Sequence, residues 1–231
     1  MLDRALQDAS YRIVWGSRLT WNRLRYTVWA PAYDALVRAA GFDAARRLSI
    51  ERLRLAPGDR VLIVGAGTGL DLDFLPPDVR VTAIDVTPAM LKHLERRAAA
   101  TGRSVTARNM DARALAFPDA SFDAVVMHLI LAVMPQPERG LREAVRVLRP
   151  GGRIGVFDKF LRDEEHASLM RRLLNAFVKP LFSDLNRRLG PLMAGTVLVT
   201  ERDEPVAFGG AYRVVTLRKP EGSRPADRAV S

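Results

Sequence analysis

Between Arg60 and Phe160, apolar runs of strand length alternate with longer stretches whose apolar residues recur every three or four positions. RVLIV (60–64), RVTAID (80–85), SVTARN (104–109), part of SFDAVVMHLIL (121–131) and RIGVFDKF (153–160) read as five strands. A short helix is expected from Gly69 to Leu75, stopped by Pro76 and Pro77. TPAMLKHLERRAAATG (87–102) reads as a helix with Thr87 as N-cap, Pro88 at its first position and Gly102 beyond its end. PERGLREAVRVL (137–148) reads as another, halted at Pro150-Gly151-Gly152. Strands that alternate with helices imply an α/β fold, a parallel sheet covered on both faces, and the near-continuous apolar character of these runs fits strands buried on both sides.

The flanks have a different texture. Residues 1–56 read as helical, and a basic amphipathic stretch follows Phe160. Two late strands are expected at TVLVTE (196–201) and YRVVTLRK (212–219), which bring the sheet to seven, and the tail PEGSRPADRAVS reads as disordered. The divisions are therefore 1–56, an N-terminal helical cap; 57–160, a ligand-binding core; 161–219, a helical insertion and closing strands of the same domain; and 220–231, a tail.

Composition removes several chemistries. The chain has no cysteine, which excludes disulfides, thiolate metal sites and cysteine nucleophiles. Its three histidines, 93, 128 and 166, form no metal-ligand spacing, so no metal is expected. No run is long and apolar enough to span a membrane and no secretory signal pattern is present, which predicts a cytoplasmic location. The net charge of +10 suits an anionic partner, although 32 of the 36 basic residues are arginines, a bias that genomic composition also produces.

The densest chemical signal is VLIVGAGTG (61–69). Glycines on alternate positions after a buried strand let the backbone turn sharply and approach a ligand closely. Asp85, which ends the second strand, is placed to accept hydrogen bonds from both ribose hydroxyls of an adenosine. Up to this point a nicotinamide cofactor fits as well.

Taken together, GAGTG (65–69), Asp85, NMDA (109–112), FPDASFDAVV (117–126) and VLRPGG (147–152) resemble the class I S-adenosylmethionine-dependent methyltransferases over roughly residues 57–160. The resemblance implies a Rossmann-like fold and S-adenosyl-L-methionine as cofactor. It implies that Gly65, Ala66, Gly67, Thr68 and Gly69 face the methionine part, that Asp85 holds the ribose, and that Val86 and Met90 lie along the adenine. Asp111 would accept from the adenine amino group and the Ala112 backbone would contact a ring nitrogen, while Met127, His128 and Leu129 would line the cofactor and face the acceptor. In one respect the chain departs from the family: the acid common two residues before the first glycine is here Ile63, for which Asp71 or Asp73 is a candidate substitute. A dehydrogenase fits less well, because position 70 is Leu where the dinucleotide fingerprint requires its last glycine.

Methyl transfer is an in-line displacement that needs near-attack geometry and exclusion of water rather than an invariant catalytic residue. An amine acceptor, with a pKa of about 10 in water, must be neutral to attack. His128 is the candidate base, with Asp34 behind it.

The flanks bear on the acceptor. Trp15, Trp21 and Trp29 accompany arginines in Tyr11–Trp29 without an intervening acid, a composition suited to an anionic membrane surface or to a helix packed over the cofactor. WAPAYDALV (29–37) is similar to a segment of quinone-type and phospholipid methyltransferases whose tyrosine closes over the cofactor, which implies that role for Tyr33. GLDLDFLP (69–76) and FGGAYRVVTLRK (208–219) resemble bacterial phosphatidylethanolamine N-methyltransferases, with Lys159 where those enzymes often have histidine. The leading expectation is N-methylation of a phospholipid headgroup, with Tyr26, Tyr33 and Tyr212 around the ammonium and Arg213 or Arg171, Arg172, Arg187 and Arg188 on the phosphate. The alternatives are C- or O-methylation of a quinone or other hydrophobic small molecule, and a cofactor-binding protein without catalysis. Nucleic acid ranks low, since the Asn/Asp-Pro-Pro-aromatic signature of base-amino methyltransferases is absent. The oligomeric state stays open.

Overall fold

A computed structural model of the chain describes residues 41–160 and 187–222. The expectations for the basic aromatic helix, Tyr26, Tyr33, Asp34, Arg171, Arg172 and most of the tail lie outside the described residues. Along the chain run α1 (Phe42–Arg52), β1 (Arg60–Val64), a four-residue 3-10 turn (Leu70–Asp73), β2 (Arg80–Asp85) and α2 (Pro88–Ala100). Then come β3 (Val105–Asn109), β4 (Phe122–His128), α3 (Pro137–Val147), β5 (Leu148–Lys159), α4 (Leu189–Met193), β6 (Val199–Ala207) and β7 (Tyr212–Arg218).

These strands build one seven-stranded sheet in the order β3-β2-β1-β4-β5-β7-β6. The first five are parallel, with Val61 opposite both Val81 and Ala124. β7 returns antiparallel, pairing Lys159 with Tyr212 and Arg153 with Arg218. Side chains of β1 alternate between two cores, as the two-residue period of a strand requires. Leu62 and Val64 join a cluster with Leu141, Ala144 and Val147 of α3, whereas Val61 and Ile63 join one with Ile50 of α1 and Leu94 and Ala98 of α2. The chain leaves β1 in one direction for β2 and returns to the other side as β4. Beyond the carboxyl ends of the strands, this reversal opens the crevice in which α/β sheets bind ligands.

Several boundaries differ from the sequence expectations, among them β5, which begins at Leu148 rather than Arg153. The short helix after the glycine loop is a single 3-10 turn, and Gly69 at its start is left-handed (φ +84°). α1 ends at Arg52 rather than continuing to the Pro57-Gly58 break. The sixth strand spans 199–207 instead of 196–201, because Thr196 closes a turn onto Met193 and pairing with β7 starts only at Val199.

α1 seats on β5 at Gly155, where an added Cβ would lie 2.8 Å from Ser49 Oγ and 3.3 Å from Leu53 Cδ2. Gly155→Val is therefore expected to push α1 off the sheet and cost about 1–3 kcal/mol by overpacking, measured as a lower urea midpoint. An unchanged midpoint would mean that the helix does not rest there.

Candidate functional site

A cleft of about 1070 Å³, part of it open to solvent, lies over the carboxyl ends of β1, β2 and β4. Gly65, Ala66, Gly67 and Thr68 form its floor. Asp85, Val86 and Met90 stand on one side, Asp111 and Ala112 at one end, and His128 at the end of β4. Leu129, Ile130, Val133 and Met134 supply an apolar wall. Gly65 and Gly67 adopt φ of +68° and +54°, a region that side chains with a Cβ enter at a cost. Gly67 is open to the cleft, and a Cβ there would meet nothing within 4 Å.

The loop and Asp85 are preorganised for one another. Gly67 N donates to Asp85 Oδ2 at 2.9 Å and Thr87 N to Oδ1 at 2.8 Å. Burial pushes the Asp85 carboxyl up, and bonds from the Thr87 and Gly67 amides, the Thr87 hydroxyl and the Val86 amide partly oppose the shift. The carboxylate lines the cleft, and a bare glycine floor beside a buried acceptor fits an adenosyl ligand.

Asp111 is half-buried. Burial pushes its carboxyl up, but the Arg113 guanidinium, with Nη2 at 2.6 Å and Nε at 3.0 Å, outweighs this and holds it below the ordinary carboxylate range. It therefore stays ionised at its end of the cleft.

Facing the glycine loop is a buried polar network that the sequence reading did not assemble. Arg46 Nη1 donates to Asp71 Oδ1 at 2.5 Å. On the same oxygen lies His128 Nδ1 at 2.7 Å, and His128 Nε2 lies 2.9 Å from Ser49 Oγ. All four residues are at most 5% exposed. Burial pushes the Asp71 carboxyl up, but Arg46 and then His128 outweigh it and hold the group far below the usual carboxylate range. A folded pKa depressed in this way adds stability that is complete above the unfolded value of about 4 and is lost as pH falls below it. Asp85 and Asp158, whose folded values burial raises, work in the opposite direction. Asp71→Asn removes this acid-sensitive contribution, so its stability deficit against the parent in urea should be smaller at pH 3 than at pH 7.

Several expected site residues sit elsewhere. Met127 is fully buried in the core and does not line the cleft, because it and His128 point to opposite faces of β4. Gly69 faces Leu94 and Leu72 rather than the cleft. Arg213 is not placed to hold a phosphate: it is 8% exposed, and its Nε is bonded to Asp203 Oδ1 at 2.6 Å. Tyr212 lies outside the cleft wall, packed against Phe42 with ring centroids 4.7 Å apart and with Lys159 Nζ 6.0 Å from its ring. Arg187 braces the cleft wall by donating to the Leu131 and Met134 carbonyls. His128 is no free base, since both ring nitrogens are engaged. Of the two acids weighed as substitutes at the loop, Asp71 lines the cleft, while Asp73 pairs with Arg97 on α2. Ile63, where the resemblance expects an acid, is 1% exposed inside the apolar core.

Comparison with known proteins agrees with this geometry. The family described as "Methyltransferase domain" matches residues 61–152. A phosphatidylethanolamine N-methyltransferase of Cereibacter sphaeroides is 33% identical over 166 residues, covering 71% of this chain and 82% of that protein. A demethylmenaquinone methyltransferase of Deinococcus radiodurans is 32% identical over 211 residues, 87% of this chain and 84% of that one. Among solved structures, a geranyl diphosphate methyltransferase in complex with S-adenosylmethionine superposes with a TM-score of 0.65 at 17% identity, covering 77% of this chain and 85% of the other, a likeness of fold.

Proposed function

This chain belongs to the S-adenosylmethionine-dependent methyltransferases, and from that premise we propose that it N-methylates the headgroup of a phospholipid, phosphatidylethanolamine, at a membrane surface. The cofactor supplies an activated methyl on a sulfonium. An amine acceptor would take that methyl from sulfur in one displacement, leaving the thioether, and would release one proton to water.

The chain's own residues bind and orient. We assign Asp85 to the ribose hydroxyls, Asp111 and the Ala112 backbone to the adenine, Val86 and Met90 to the ring faces, and the glycine loop to the methionine portion. The apolar wall of Leu129, Ile130, Val133 and Met134 excludes water and disfavours a charged ammonium beside the sulfonium. His128 positions rather than deprotonates. Residues 1–56, with Tyr26 and Tyr33, are assigned as an N-terminal cap, 57–160 as the cofactor core, and 161–219 as an insertion and the closing strands of the same domain. Among the described residues no helix is long and apolar enough to cross a membrane, so the proposed contact with lipid is peripheral.

The observation that carries the lipid reading is the 33% identity to the phosphatidylethanolamine enzyme over 166 residues. A quinone acceptor is the second reading, favoured by the demethylmenaquinone enzyme, which matches a larger share of the chain. Vesicles containing phosphatidylethanolamine, incubated with the protein and methyl-labelled cofactor, separate the two. Label in mono- or dimethylated phosphatidylethanolamine is expected. Label that enters only an added demethylated quinone rejects the lipid in favour of the second reading.

A further inference from the structure

We propose that the buried Arg46–Asp71 pair recognises the zwitterionic amino-acid end of the cofactor, the carboxylate at Arg46 and the ammonium at Asp71. The pair thereby takes over the task of the acid missing at Ile63. The inference deepens the cofactor assignment and rests on it.

Three observations lead there. First, position 63 cannot supply a charge, because Ile63 packs between β1 and the α1–α2 side of the sheet. Second, Arg46 and Asp71 both line the cleft on the side of the glycine loop, and they are side chains of opposite charge about 5% exposed. A buried ion pair carries a large desolvation cost, and a ligand bearing the complementary pair of charges offsets part of it. Third, the two bonds that hold Asp71 converge on Oδ1, from Arg46 and from His128. Among the described residues no bond to Oδ2 accompanies them, so that oxygen is left for a donor. A guanidinium carries five N–H donors in a plane, enough to hold Asp71 and a carboxylate together.

Ser49 and His128 complete the device. Asp71 is ionised and accepts, so Nδ1 of His128 carries a proton toward it. Nε2 is fixed by Ser49 on α1. Arg46 and Ser49 lie three residues apart and so on one face of α1. The helix thereby holds the pair from both ends, and Gly155 beneath it sets its height. Arg46 is thereby a binding residue for the cofactor and Ser49 a positioning one, both contributed from outside the glycine loop.

The test compares S-adenosylhomocysteine with 5′-methylthioadenosine, which keeps the adenosine and sulfur but has no amino-acid end. Calorimetry on the full chain should give at least ~100-fold tighter binding of the former, as two charge-assisted contacts imply. In Arg46→Gln and Asp71→Asn that ratio should fall to about 10-fold or less, while affinity for methylthioadenosine stays within about threefold of the parent. A merely structural pair would weaken both ligands together and leave the ratio intact, which overturns the proposal. If a variant does not fold, the parent protein still decides: similar affinity for the two ligands rejects the pair as a recognition element. Failure of the parent to bind either one would count against the cofactor assignment itself.

Discussion

Asp85→Ala is expected to weaken S-adenosylhomocysteine binding by at least ~100-fold. The carboxylate has two jobs. It fastens the glycine loop to the end of β2 through the Gly67 and Thr87 amides, and on the proposed assignment it accepts from the two ribose hydroxyls. Hydrogen bonds to a charged group contribute about 1.5–3 kcal/mol each, so losing two hydroxyl contacts alone costs about 3 kcal/mol or more. The substitution also leaves two amides without their acceptor in a half-buried place, and the loop loses its fixed shape. Asp85→Asn keeps the volume and one acceptor, and should fall between the parent and Asp85→Ala. Equilibrium titration, with circular dichroism to confirm folding, reads both. Affinity within threefold of the parent would remove Asp85 from the site.

The second large effect separates two glycines of the same loop. Gly65→Ala should cost about 2–5 kcal/mol of stability, the sum of left-handed strain and a clash. Its new methyl would lie 2.6 Å from Ile130 Cδ1 and Cγ1 and 3.1 Å from Ile130 Cβ. A rotamer change relieves the first two contacts but not the third, which is anchored to the backbone. Gly67→Ala carries only the strain of φ +54°, about 1–2 kcal/mol, since its methyl meets no protein atom. That methyl projects into the cleft and should therefore harm ligand binding more than folding. Urea denaturation and ligand titration of the two variants give opposite orders. Equal stability losses would show that Ile130 does not press on the loop.

The core of the fold is written locally and was legible for that reason. Runs such as RVLIV and FDAVVMH announce strands buried on both faces, and Pro88 at the first helical position announces the start of α2, although the Thr87 side chain makes no capping bond. β6 was harder to place. It is an edge strand whose ERDE segment is exposed, so no apolar alternation marks it, and only pairing with β7 fixes its ends. That Asp85 and Asp111 face one cleft was legible too, because each lies at or just beyond a strand end and the sheet aligns strand ends.

The Arg46–Asp71–His128–Ser49 network was not legible. Its members come from α1, the 3-10 turn and β4, with Ser49 and His128 79 residues apart, and nothing in FDAARRLSIER marks Arg46 as buried rather than solvated. One signal was present: an acid missing at Ile63 and an acidic LDLD directly after the loop's last glycine. The period of two explains the remaining differences. Consecutive residues on a strand cannot share a face, so Met127 could not join His128 at the cleft. The same alternation turns Arg213 of β7 toward Asp203.

The account's central claim is that an adenosyl sulfonium donor occupies the cleft between the glycine loop, Asp85 and Asp111. Calorimetric titration of the purified chain with S-adenosylhomocysteine, run in parallel with NAD, tests it most directly. The prediction is saturable binding of one S-adenosylhomocysteine per chain and no heat from NAD. Binding of NAD without S-adenosylhomocysteine would contradict it.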